Sequence, residues 1–144
     1  YREVCHMPQL ETPMGLAFCV CDTVIEDRTT HKKSLIGLFD RISSRTFPCV
    51  HPEMTVYVSL TSGHGTYPCE CECRHTDGET LAFRATGKVA MKDPTQVADL
   101  VFRMRGVRFA KPGTYWLQFQ VDGNPLLMRR FLVQEAKPTN QETR

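Results

Sequence analysis

Apolar and polar residues alternate with a period of two along most of this chain, the pattern of strands whose side chains point to opposite faces. From Met54 to Thr61 the alternation puts Val56, Val58 and Leu60 on one face and Thr55, Tyr57 and Ser59 on the other. From Thr114 to Asp122 it puts Tyr115, Leu117, Phe119 and Val121 opposite Trp116, Gln118 and Gln120. Cys69 to Arg74, C-E-C-E-C-R, is the sharpest case, with three thiols on one face and Glu70, Glu72 and Arg74 on the other. After a turn at His75-Thr76-Asp77-Gly78, the stretch from Glu79 to Gly87 returns with Leu81, Phe83 and Ala85 inward. Gln96 to Phe109 carries Leu100, Phe102 and Met104 on one side and Val101, Arg103 and Arg105 on the other, with Gly106 marking a bulge or bend. Gly15 to Asp22 is apolar on both faces and reads as a buried strand. Ser34 to Ser43 reads as one further strand, joined to it by the polar connection Glu26 to Lys33. A last strand, Leu126 to Gln134, follows the turn Asp122-Gly123-Asn124.

These elements predict an all-β domain, an immunoglobulin-like two-sheet antiparallel sandwich of about seven to nine strands. At most one helical turn fits, between Asp93 and Asp99. Lys111-Pro112-Gly113-Thr114-Tyr115 resembles the tyrosine corner of such sandwiches, in which the ring packs on the core and the hydroxyl bonds upstream backbone. Leu117 stands where antibody domains carry a cysteine, so no inter-sheet disulfide is expected. Residues 1–13 read as an irregular arm, residues 14–136 as a single domain, and residues 137–144 as a flexible polar tail. A chain of 144 residues is long enough for one domain with a core of its own.

Composition narrows the partners. A net charge of +2 with 24% charged residues does not announce a nucleic-acid binder. No apolar run approaches the roughly 18 residues of a membrane span, and the N-terminal residues lack the apolar core of a secretion signal. Seven cysteines, an odd number, read as reduced thiols packed as small hydrophobes. The expectation is a cytoplasmic protein.

Five segments carry a family resemblance: F-C-V-C-D at Phe18 to Asp22, L-I-G-L-F-D-R-I at Leu35 to Ile42, F-P-C-V-H-P-E-M at Phe47 to Met54, V-A-D-L-V-F at Val97 to Phe102, and F-A-K-P-G-T-Y at Phe109 to Tyr115. In these the chain resembles a bacterial family of uncharacterised sandwich domains, DUF6941, over roughly residues 15–135. The resemblance implies an all-β fold. It implies no activity and carries over no site residue.

Four kinds of chemistry are conceivable. Thiolate and imidazole suit zinc, which makes Cys49, His51, Cys69, Cys71 and Cys73 the candidate ligands. No C-x-x-C pair is present, however, and thiols two apart on a strand are expected on an inward face. A hydrolase-like site has no local signature such as G-x-S-x-G, and Ser62-Gly63-His64-Gly65 reads as a hairpin loop. Arg103, Arg105 and Arg108, with Arg84, could form a basic face, but Glu70, Glu72 and Asp99 interleave with them, so nucleic acid is not expected. Aromatics on outer sheet faces are typical interface anchors. Trp116 and Tyr57, rimmed by Arg103 and Arg105, are therefore the candidate residues for a protein partner or a second copy of the chain. The leading expectation is a non-enzymatic binding or scaffold module without a cofactor, with a Cys/His zinc domain as the alternative and an enzyme third.

Overall fold

The computed structural model describes residues 12–137, and every regular element among them is a strand. The expected N-terminal arm lies outside the described residues up to position 11, as does the expected tail beyond Lys137. Nine strands are described: β1 (Met14–Glu26), β2 (Lys33–Leu38), β3 (Arg41–Ser44), β4 (Cys49–Thr61), β5 (Gly65–His75), β6 (Leu81–Met91), β7 (Ala98–Phe109), β8 (Gly113–Val121) and β9 (Asn124–Glu135). They form a four-stranded sheet in the order β2-β1-β4-β7 and a five-stranded sheet in the order β3-β9-β8-β5-β6.

Three sequence expectations change here. The run from Ser34 to Ser43 is two strands, because the chain passes from the first sheet to the second at Phe39–Asp40. After that passage β3 runs parallel to β9, with Arg41 opposite Leu132, so the sheets are not wholly antiparallel. The Asp40 carbonyl accepts the Leu132 amide at 3.1 Å as the pairing begins. The stretch from Asp93 to Asp99, the one place with room for a helical turn, holds none, which is within the limit of at most one. The Asp93 carboxylate instead accepts the Thr95 amide at 2.8 Å in a tight turn, and β7 starts at Ala98. Nor is Ser62-Gly63-His64-Gly65 a hairpin loop, since it joins strands of different sheets.

The two inner faces share one core. Val56, Val58 and Leu60 of β4 are fully buried, as are Tyr115, Leu117 and Phe119 of β8. Aromatic rings bridge the sheets: Phe18 and Phe102 each stand 6.3 Å from Phe119, and Phe109 stands 5.3 Å from Tyr115. The three thiols of β5 belong to this core, with Cys71 and Cys73 at 0% exposure and Cys69 at 4%. At Gly106, φ is 61° and the inward set changes phase, so that Phe102 is followed by Val107 and Phe109. Leu81, expected inward, is 39% exposed; a register shift beside Cys73 sets it opposite Arg74.

The tyrosine corner has its hydrogen bond. Tyr115 donates its hydroxyl to the Lys111 carbonyl at 2.7 Å. His75 braces the same corner from β5. Its Nε2 lies 3.1 Å from the Pro112 carbonyl, its Nδ1 accepts the Asp77 amide at 2.9 Å, and its ring meets Tyr115 edge-on at 4.9 Å. Lys111 pairs with Asp77 across the two loops and holds that carboxyl well below the usual carboxylate range.

Candidate interaction surface

The outer face of the five-stranded sheet is assembled from neighbouring strands in register. Trp116 on β8 lies opposite Arg130 on β9 and Arg74 on β5, while Gln118 lies opposite Met128 and Glu72. Antiparallel partners share a face, so these six side chains form one patch. The Arg130 guanidinium stands 5.3 Å from the centre of the indole, a cation–π contact. Trp116 is therefore only partly covered, and Met128 beside it is 56% exposed. A cavity of about 240 Å³ opens here, lined by Trp116, Gln118, Met128, Glu72, Arg74 and His75.

Charge runs along the same face. Glu72 takes the Arg74 Nε at 2.9 Å and an Arg84 terminal nitrogen at 3.0 Å, and these hydrogen bonds hold its carboxyl below the usual range. Glu70 pairs with Arg84 at 3.1 Å. Both acids are thereby neutralised, whereas Arg130 and Lys88 have no carboxylate partner among the described residues. A second cavity, about 410 Å³, lies further along the face between Pro68, Glu70, Thr86, Lys88 and Gln120.

Tyr57, Arg103 and Arg105 do not join Trp116. They sit on the outer face of the other sheet, where Tyr57 pairs with Cys19 and Val101, Thr55 with Cys21 and Arg103, and Glu53 with Arg105. Arg84 belongs to the five-stranded sheet, so the expected arginines are divided between opposite sides of the molecule. Arg103 is also engaged. Its guanidinium crosses β4 and donates to the Val24 carbonyl at 2.8 Å. Beneath that span Thr55 and Cys21 are shut off from solvent, although their side chains point away from the core. Cys21 and Cys19 thus depart from the expectation that the thiols face inward; the intervening Val20 is the inward residue. Burial, with the Cys19 and Asp22 charges nearby, pushes the Cys21 thiol up. Burial, with Asp99 nearby, pushes the Tyr57 hydroxyl up, and Lys33 approaches Asp99 at 3.3 Å.

The proposed metal ligands do not converge. Cys49 and His51 lie along β4 opposite Phe109 and Val107, and the His51 ring packs on Phe39 at 5.4 Å. Cys69, Cys71 and Cys73 lie within the core. Among the described residues no group of three or more His, Cys, Asp or Glu side chains is placed to hold a metal ion. The candidate zinc ligands are therefore not gathered into one site among the described residues. Burial raises the Cys69 thiol to about 11 and the Cys71 thiol to about 12, and pushes Cys73 up as well, so these sulfurs are neither nucleophiles nor ready ligands near neutral pH. No helix among the described residues is long and apolar enough to cross a membrane.

The molecule thus belongs to the all-β proteins built of two packed sheets, with its polar aromatic surface on the larger one. The chain matches the family of unknown function DUF6941 over residues 16–134, and it belongs to that family. No curated protein matches it.

Proposed function

We propose that this is a non-enzymatic binding module, a cytoplasmic immunoglobulin-like sandwich that presents the outer face of its five-stranded sheet to a protein partner. The observation that carries the reading is Trp116, partly exposed between Arg130 and Arg74 with Met128 alongside. Tryptophan and arginine on a surface rimmed by polar groups are the residues that dominate interface energetics. The unpaired Arg130 and Lys88 favour a partner that brings carboxylates together with an apolar side chain for the indole. Support for a non-catalytic role comes from the core thiols, which burial keeps protonated. The absence of disulfides among the six described cysteines is consistent with a reducing compartment.

Site-specific photo-crosslinking tests the reading. A photoreactive residue at Met128 should give a defined protein adduct in cell extract, and Trp116→Ala should abolish it. The same probe at Val101, on the opposite face, should give none. No adduct from Met128, or equal adducts from both sites, would refute the proposal.

A further inference from the structure

The Trp116 face also dictates the shape of what fits it, an inference that rests on its reading as a binding surface. Two cavities open along this face. The smaller, about 240 Å³, has Trp116 and Met128 in its lining, and the larger, about 410 Å³, has Pro68, Thr86 and Lys88. Strand pairing sets their separation. Arg74 lies opposite Trp116, and Pro68, six residues earlier on β5 and on the same face, lies opposite Lys88. At about 3.3 Å per residue the two ends are about 20 Å apart along the strands.

Gln118 and Gln120 stand half-buried on β8 between those ends, Gln118 lining the smaller cavity and Gln120 the larger. The Gln120 carboxamide donates to the Gln118 carboxamide oxygen at 3.4 Å. The Gln118 carboxamide nitrogen and the Gln120 carboxamide oxygen are left without a partner among the described residues. A donor and an acceptor two residues apart on one strand face match the two-residue repeat of backbone groups along one side of an extended chain.

Charge narrows the chemistry further. Glu72 lines the smaller cavity and Glu70 the larger, both held by arginines of the sheet. Carboxylates so placed interrupt any basic track that a phosphate backbone would need. Lys88 is exposed at the far end, with no carboxylate partner among the described residues, and so offers one point of attachment for an acid.

We propose that the face binds an extended peptide segment of its partner, laid from the Trp116 cavity across Gln118 and Gln120 to Lys88. The segment sets a large apolar side chain beside Trp116 and Met128, and an Asp or Glu at Lys88 four or six residues away. The spacing is even because alternate side chains of an extended chain face the sheet. Six residues cover the span, and the reach of the Lys88 side chain admits four.

Selection of displayed random dodecapeptides on the full chain tests the motif. Enriched peptides should share a large apolar residue with an Asp or Glu four or six positions away. Selection on Lys88→Glu should replace that acid by Lys or Arg at the same spacing. In fluorescence anisotropy with the best enriched peptide, Lys88→Glu and Trp116→Ala should each weaken binding about tenfold or more, and Arg105→Ala should not. Lys88 is exposed, so its reversal does not put folding at stake. Enriched peptides without the spaced acid, or binding indifferent to Lys88→Glu, would overturn the proposal. So would a failure to enrich any peptide while the Met128 probe still captures a partner, a result that leaves the Trp116 reading standing. Absence of capture from Met128 instead removes the reading on which the motif rests, and the motif with it.

Discussion

Raising the pH should unfold this protein through its core thiols, and the size of the effect follows from their burial. A thiol is neutral when protonated, and a dry core favours the neutral form. Cys71 is raised from 9.0 to about 12 and Cys69 from 9.0 to about 11. The folded state therefore holds these protons more tightly than the unfolded chain. The stability they contribute is complete below pH 9 and is lost as the pH climbs toward the folded values. At pH 10 an unfolded thiol is about tenfold more ionised than not, while its folded counterpart stays mostly protonated. With about 1.4 kcal/mol per pH unit, each buried thiol then costs about 1.4 kcal/mol. Cys73, also pushed up, brings the loss across the three to about 4 kcal/mol, a large share of the 5–15 kcal/mol typical of a domain. Urea unfolding of the wild type and of Cys71→Ala at pH 8 and pH 10 isolates the effect, because tyrosine and lysine titration is common to both. The variant should lose about 1.4 kcal/mol less between the two pH values. Equal losses would show that Cys71 is not held neutral in the core, and the placement of β5 would be wrong.

Other substitutions probe the corner and the small sheet. Tyr115→Phe removes the hydroxyl donated to the Lys111 carbonyl at 2.7 Å and should cost about 1–2 kcal/mol in urea unfolding. Gly113→Ala should cost about 1–3 kcal/mol by the same measurement, since φ is 135° there and an added Cβ would meet the His75 ring at 2.4 Å. Arg103→Ala uncovers Thr55 and Cys21, so one more thiol than in the wild type should react with a thiol reagent in the native protein at pH 8.

Within single strands the sequence was informative, because period two assigns each side chain to a face. Val56, Val58 and Leu60 point inward on β4, Trp116 points outward on β8, and the three β5 thiols are buried, as the alternation indicates. The corner at Tyr115 was also readable, since Pro-Gly before a strand-entering tyrosine is a local pattern. What alternation cannot supply is which sheet a strand enters. Trp116 and Tyr57 both read as outward aromatics, yet they lie on opposite sheets. The passage at Phe39–Asp40 was hard to read because apolar residues flank it on both sides, Leu35 to Phe39 before and Ile42 after, and the Asp40-Arg41 pair between them is equally compatible with one continuous strand. Gly15 to Asp22 is apolar on both faces, which left the facing of Cys19 and Cys21 undetermined by pattern. The lid that closes over Cys21 is an arginine 82 positions later in the chain.

The central claim concerns Trp116, which is also the chain's single tryptophan and so a reporter of its own surroundings. The direct measurement is its fluorescence while the protein captured by crosslinking, once purified, is titrated in. Burial of the indole should shift the emission to shorter wavelength as the complex forms. Arg130→Ala should weaken binding about tenfold or more, a typical loss at an interface anchor, and Arg105→Ala should leave it unchanged. A partner that binds with no change in Trp116 emission, or that depends on Arg105 rather than Arg130, would contradict the claim.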